Sequence, residues 1–199
     1  ELSNLGYKVA INLMQVSQLS NDKIREFISF LPDQLECLYF ADSLGNMLPK
    51  DIERVMSTIK ESWHGAVGFH AHNNMGQASI NVQTAIECGA TWIDSTITGM
   101  GRGAGNVKTE SLLKQFEYLK YNLAGVNNIS KKYFLNLKKK YKWGKSNYYK
   151  IAAKYNIHPT YIQMLQNDNR YSASEKLASI NSLKKIVSTS YDPRILEET

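Results

Sequence analysis

At 199 residues the chain can bury one ordinary core, or a core plus an extension. Its 43% hydrophobic and 21% charged residues fit a globular protein; no apolar run approaches the roughly 20 residues that span a bilayer, and no n-region/h-region pattern marks a secretory signal. Two cysteines, Cys37 and Cys88, cannot make a disulfide framework, so a reducing cytoplasm is expected, with both as packing residues and not nucleophiles. The net charge of +6 is unevenly placed: residues 1–110 hold 8 Lys+Arg against 12 Asp+Glu, residues 111–199 hold 16 against 6. A solvated helical face accounts for such a basic segment more simply than a nucleic-acid surface.

Residues 7–16, YKVAINLMQV, read as a buried strand. Ser20, Asn21 and Asp22 offer helix caps, and residues 23–31 place Ile24, Phe27, Ile28 and Leu31 on one helical face before Pro32. Residues 35–41 form the next strand, which breaks at Asp42-Ser43-Leu44-Gly45; Pro49 suits the first position of a helix running to about Trp63. A short apolar run, residues 66–69, leads into His70-Ala71-His72. A helix follows and stops at Gly89, and a strand over 91–98 opens into the glycine loop 99–106. Four strand–helix units in a row predict a parallel sheet with right-handed crossovers.

Beyond Glu110 the periodicity is helical. Residues 111–123 space Leu112, Leu113, Phe116, Leu119 and Leu123 for one helix, and residues 129–142 interleave Phe134, Leu137 and Tyr141 with a lysine-rich face. A third helix, 148–155, has Ser146 or Asn147 as its cap, a fourth starts at Pro159, and a fifth covers 172–182 before a polar tail. His158 reads as a cap or packing residue, and Trp143, Tyr148 and Tyr149 as helix packing.

On a strand, His70 and His72 point to one face about 6.6 Å apart, which lets two imidazoles converge on one ion. Alone, the pair reads as well as polar residues filling a sheet interior, and Asp42-Ser43 as a turn and cap. In sequence, though, H-A-H-N-N is followed by A-x-E-C-G-A-T-W-I-D-S-T and then G-M-G-R-G-A-G-N-V-x-T-E. This series resembles the HMG-CoA lyase-like metal-dependent aldolase and acyltransferase superfamily, a set of TIM barrels. The loop GMGRGAGN looks most like its 4-hydroxy-2-oxovalerate aldolase branch, because the Glu-Arg pair of the acyl-CoA condensing branch is absent.

The resemblance implies an α/β fold in which residues 1–125 are strands 5–8, the C-terminal half of a (β/α)8 barrel, and residues 126–199 are a helical C-terminal extension. It implies that His70 and His72 are metal ligands, that Asn106 is a further ligand or substrate contact, and that Ser43 holds a substrate carboxylate with Asp42 orienting it. Arg102, in the loop after the last strand, is expected either to hold the substrate's anionic end or to pin the loop. The implied activity is class II aldol cleavage of a 4-hydroxy-2-oxo acid to pyruvate and an aldehyde through a metal-stabilised enolate. Manganese is the expected ion, with Mg²⁺, Co²⁺ and Zn²⁺ as alternatives by ligand type.

The sequence departs from the family in one respect: strands 1–4 are absent, and with them the aspartate ligand, an arginine near the substrate and a histidine base. The chain alone is therefore expected to be an incomplete enzyme and a fragment of a longer polypeptide. Its expected partners are the missing barrel half, a 2-oxo acid, and a second copy or an aldehyde dehydrogenase; neither a membrane nor nucleic acid is expected. Three other readings compete. One is an acyl-CoA-dependent condensing enzyme resembling isopropylmalate or homocitrate synthase, and another a non-catalytic module with a basic helical tail. The weakest is a dinucleotide site at Gly99-x-Gly101-x-x-Ala104, which lacks a downstream strand ending in an acid, since Glu117 falls in a helical pattern.

Overall fold

A computed structural model of the protein describes residues 2–32, 34–116, 121–186 and 190–197. Strand β1 (Ala10–Leu13), helix α1 (Asn21–Ser29), β2 (Cys37–Asp42), α2 (Pro49–Lys60), β3 (Ala66–Ala71), α3 (Ala78–Glu87), β4 (Trp92–Asp94) and α4 (Thr109–Phe116) alternate along the chain. The sheet is wholly parallel in the order β1-β2-β3-β4, so each helix carries the chain back to start the neighbouring strand.

The helices cover one face of this sheet. Leu13, Leu38, Phe40, Val67 and Phe69 point into that layer and meet Ile24 and Ile28 of α1, Ile52, Val55, Met56 and Ile59 of α2, and Val82 and Ala85 of α3. Phe40 stacks on Phe69 with ring centroids 4.6 Å apart. Each such fully buried side chain contributes about 1.5–3 kcal/mol of transfer free energy, and this layer is what fixes the strand register. The opposite face carries the alternate residues Asn12, Tyr39, Gly68, His70, Trp92 and Asp94. Much of it is open: Trp92 is 43% exposed, and the Asp94 side chain 47%.

Two strands are shorter than the sequence predicts. β1 covers four residues of the expected 7–16, because β2 offers partners only from Cys37 onward; the chain then turns through Gln15 (φ 52°) into a 3-10 turn, Val16–Gln18. β4 ends at Asp94 instead of Thr98. Glu110 takes the Thr98 N–H with both carboxylate oxygens at 3.0 Å, holding a 3-10 turn (Ile97–Gly99) in which Thr98 has φ 57°. Cys37 is buried, and burial pushes its thiol up to about 11, as packing chemistry requires.

The C-terminal segment also differs in its breaks. The helix expected over 111–123 ends as α4 at Phe116; Glu117 and Leu119 lie outside the described residues, and Leu123 instead begins α5 (Leu123–Ile129) under an Asn122 cap. A π-helical turn, Ser130–Phe134, joins α5 to α6 (Leu135–Tyr141), so the expected 129–142 helix starts earlier and ends at Lys142 (φ 54°). Helices α7 (Asn147–Lys154), α8 (Pro159–Asn167) and α9 (Ala173–Leu183) follow, capped by Ser146, His158 and Ser172. The stretch read as a polar tail ends in a short helix, α10 (Arg194–Glu197), and Tyr191, Ile195 and Leu196 pack on the second core. That core, built on Tyr149, Ile157, Tyr161, Ile162 and Leu183, includes Ala104 of the glycine loop, which docks the helices on the sheet's C-terminal edge.

Candidate functional site

His70 leaves β3 on the open face, and His72 follows just past the strand's end, where its backbone forms an antiparallel bridge with Asn106. The two imidazole rings lie 5.1 Å apart between centroids and 72° from coplanar. His70 Nδ1 is 2.9 Å from Asp94 Oδ2, and the two residues are direct register partners on β3 and β4. His72 sits deeper. Burial, then the neighbouring His70 and Arg102, hold its pKa down at about 3, so the ring is neutral near pH 7 and keeps a lone pair for an electrophile.

Asn106 is carried into this corner by the glycine loop. Gly105 has φ 85°, and a side chain there would run into the Gly99 carbonyl; a Cβ on Gly101 would meet the Asn106 amide at 2.8 Å. Asn106 Nδ2 donates to the Met100 carbonyl at 3.3 Å, while Asn106 Oδ1 and His72 Nδ1 are buried without a hydrogen-bond partner of their own. An orphaned buried acceptor costs about 1–3 kcal/mol. A cation beside two imidazoles and an amide oxygen would offset that cost, so these residues fit part of a metal's coordination sphere. They do not complete one: among the described residues no group of three or more His, Cys, Asp or Glu side chains could hold an ion.

Ser43 and Asp42 stand at the end of β2. Asp42 is buried, and its two oxygens accept the Asn46 and Met47 N–H groups at 3.0 and 3.2 Å, so its carboxylate is committed to the loop after β2. Burial nonetheless raises its pKa to about 6. Ser43 Oγ accepts the Gln15 N–H at 2.9 Å. Arg102 reaches across to this loop, with Nη2 3.5 Å from the Ser43 carbonyl and Nη1 3.1 Å from His158 Nε2. Burial lowers the pKa of Arg102, and burial together with the Arg102 charge brings His158 down to about 4, so the neutral ring accepts from the guanidinium.

Three residues that the sequence reading did not single out shape this corner. Asp94 binds His70. Asn74, buried, donates to the Leu44 carbonyl at 2.9 Å and accepts the Ala104 N–H at 3.0 Å, tying the loop after β2 to the glycine loop. Tyr39 lies on the same face as His70 and Asp94, its hydroxyl pKa raised by burial and by the Asp94 carboxylate. Period-two spacing on β2 and β4 was the available signal for Tyr39 and Asp94. His158 was read as a cap or packing residue; it caps α8 and also holds Arg102. A separate cleft of about 900 Å³ opens on the far side of Asn106, lined by Lys108, Lys131, Lys138, Lys139, Lys142 and Lys145.

The sequence matches the HMGL-like family over residues 2–137. Two curated relatives, both named 4-hydroxy-2-oxovalerate aldolase, come from Thermomicrobium roseum (45% identical over 87 residues) and Bacillus thuringiensis (37% over 120). The matches cover 44% and 60% of this chain but 24% and 35% of those relatives, so the chain spans about a quarter to a third of their length. Among solved structures, the N-terminal domain of a candidate aldolase from Bacteroides vulgatus superposes with a TM-score of 0.74 at 32% identity, covering 89% of this chain and 60% of that one. HMG-CoA lyase from Bacillus subtilis (TM-score 0.59, 19% identity, 69% and 51% covered) shares the fold. So does the carboxyl transferase domain of Rhizobium etli pyruvate carboxylase (TM-score 0.74, 12% identity, 99% and 38% covered). A parallel α/β sheet with TIM-barrel-superfamily neighbours, matched over more than half its length, places this chain by sequence as well as by shape: it belongs to the HMGL-like family.

Proposed function

We propose that the chain is the C-terminal half of a (β/α)8-barrel aldolase that cleaves a 4-hydroxy-2-oxo acid to pyruvate and an aldehyde. In this reading residues 1–125 supply strands 5–8, and residues 126–199 close over the loops at their C-terminal ends. The observation that carries it is the His70–His72 ring pair at the C-terminal end of a parallel strand, with Asn106 bridged to His72. The open face bearing Asn12, Trp92 and Asp94 supports the half-barrel, since a barrel closes such a face against its other strands. The curated relatives' names support the reaction.

His70 and His72 would give nitrogen lone pairs and Asn106 its amide oxygen to a divalent cation, the kind of cofactor on which the family generally depends. The ion, Mn²⁺ by preference, would supply Lewis-acid polarisation of the substrate's carbonyl. The depressed pKa of His72 keeps that ring free of a competing proton. Arg102, partly desolvated and steadied by the neutral His158, presents its charge near Ser43, where a substrate carboxylate would be bound. Asp42 and Asn74 hold the two loops that carry Ser43 and Arg102. The general base and the anionic metal ligand belong to strands outside this chain, so the isolated chain is inactive. A retro-aldol assay tests this: the chain combined with the other barrel half should release pyruvate from a 4-hydroxy-2-oxo acid and leave an acyl-CoA plus 2-oxo acid unreacted. Condensation of the acyl-CoA would instead establish the other branch.

The lysine-lined cleft favours a second reading, an anion-binding module. Six lysines converge there, and none is in a salt bridge among the described residues. Strongly salt-dependent binding of RNA or DNA by a catalytically silent full-length protein would favour it.

A further inference from the structure

Tyr39, Asp94 and His70 cross the open face of the sheet as one run of hydrogen-bonding groups. Register fixes two of the steps: His70 stands opposite Asp94, and Tyr39 opposite Gly68. Gly68 is what lets the run form. The Tyr39 ring lies directly over it, and a Cβ at that position would stand 2.6 Å from the ring carbons. Trp92 meets the same ring edge-on, 6.4 Å between centroids and 84° between planes, which holds the phenol aimed along the face toward Asp94. The Tyr39 side chain hydrogen-bonds Asp94, and His70 Nδ1 meets the same carboxylate at 2.9 Å.

We propose that Asp94 is a positioning residue: it holds His70 as the Nδ1–H tautomer, with the Tyr39 hydroxyl as the second donor that fixes the carboxylate. A carboxylate only accepts, so the proton between Asp94 and His70 belongs to Nδ1. The neutral ring then carries its lone pair on Nε2, the nitrogen for which no hydrogen-bond partner is found among the described residues. A free imidazole in water favours the opposite tautomer, so without Asp94 most of the His70 rings would present the wrong nitrogen. Carboxylate–histidine pairs of this kind raise ligand basicity and fix ring orientation, and their loss costs about 10–100-fold in metal affinity. That consequence rests on the proposed metal reading, whereas the tautomer does not.

The test is long-range ¹H–¹⁵N correlation spectroscopy of the ¹⁵N-histidine-labelled, metal-free chain at a pH above the imidazole range. His70 should show the Nδ1–H pattern in the native chain, should revert to Nε2–H in Asp94→Ala, and should become a mixture in Tyr39→Phe, which keeps the ring and loses the donor. Titration with Mn²⁺ forms the second arm, with binding 10–100-fold weaker in Asp94→Ala. The native measurement needs no variant to fold. An Nε2–H pattern in the native chain overturns the proposal, as does an unchanged Nδ1–H pattern in a folded Asp94→Ala. A correct tautomer with no Mn²⁺ binding leaves the positioning role standing and counts against the metal reading alone.

Discussion

Replacing Asn74 by alanine tests whether the two loops around the site are held as one unit. The amide spans them through two bonds, Nδ2 to the Leu44 carbonyl at 2.9 Å and Oδ1 from the Ala104 N–H at 3.0 Å. Each is worth about 0.5–1.5 kcal/mol net. Leu44 is fully buried and Ala104 5% exposed, so water cannot easily replace the amide, and each backbone group left orphaned adds part of a 1–3 kcal/mol penalty. Together these give a loss of about 3 kcal/mol. With a urea m-value of about 2 kcal/mol/M, the midpoint should fall by about 1.5 M at unchanged m. Asn74→Asp keeps the acceptor for Ala104 but turns a lone pair on the Leu44 carbonyl, and should lose at least as much at neutral pH. A midpoint shift below about 0.5 M for Asn74→Ala would refute the clamp, since that corresponds to about 1 kcal/mol, an ordinary surface bond.

Gly68→Ala should destabilise the chain by about 1–3 kcal/mol, because the new methyl displaces the Tyr39 ring, and near-UV circular dichroism should report the shift in Tyr39 and Trp92. The depressed pKa values of His72 (about 3) and His158 (about 4) mean the unfolded chain binds more protons below the ordinary histidine value near 6.5. Their stabilisation is full above that value and is lost as pH falls toward 4 and 3. Asp42, raised to about 6, acts in the opposite sense, its contribution fully present below 3.8 and lost as pH rises through 6; two histidines outweigh it, so the urea midpoint should fall from about pH 7 to pH 4.5. His158→Gln should flatten that profile, and an unchanged profile would contradict the assignment. In the complete protein, Arg102→Ala should raise KM for an anionic substrate about tenfold or more, as loss of a charge-assisted contact does, and an unchanged KM would leave Arg102 as a loop pin.

The helix layer was legible because its signals are local: Ser20 before α1, Pro49 opening α2, and apolar residues at helical spacing that the structure buries. The parallel sheet followed from strand–helix alternation. The strand ends did not, because long-range groups set them: Glu110 stops β4 by capturing the Thr98 N–H twelve residues upstream, and β1 is only as long as the partner β2 provides. The histidine pair was visible as a motif. Asp94 and Tyr39 were not, since nothing in their own strands says that register will set Asp94 opposite His70, or Tyr39 opposite a glycine. His158 shows the same limit across 56 residues: its capping role was local, and its bond to Arg102 depends on how the helical segment docks.

The central claim is that His70, His72 and Asn106 share a divalent cation. Titrating Mn²⁺ into the chain, followed by the loss of free-ion electron paramagnetic resonance signal, tests it most directly, with His72→Ala and Asn106→Ala of unchanged circular dichroism alongside. The account expects weak binding at one site, diminished in Asn106→Ala, abolished in His72→Ala, and declining as pH falls through about 6.5 as His70 takes up a proton. Binding that is absent at millimolar Mn²⁺, or equally strong in the native chain and in His72→Ala, would contradict it.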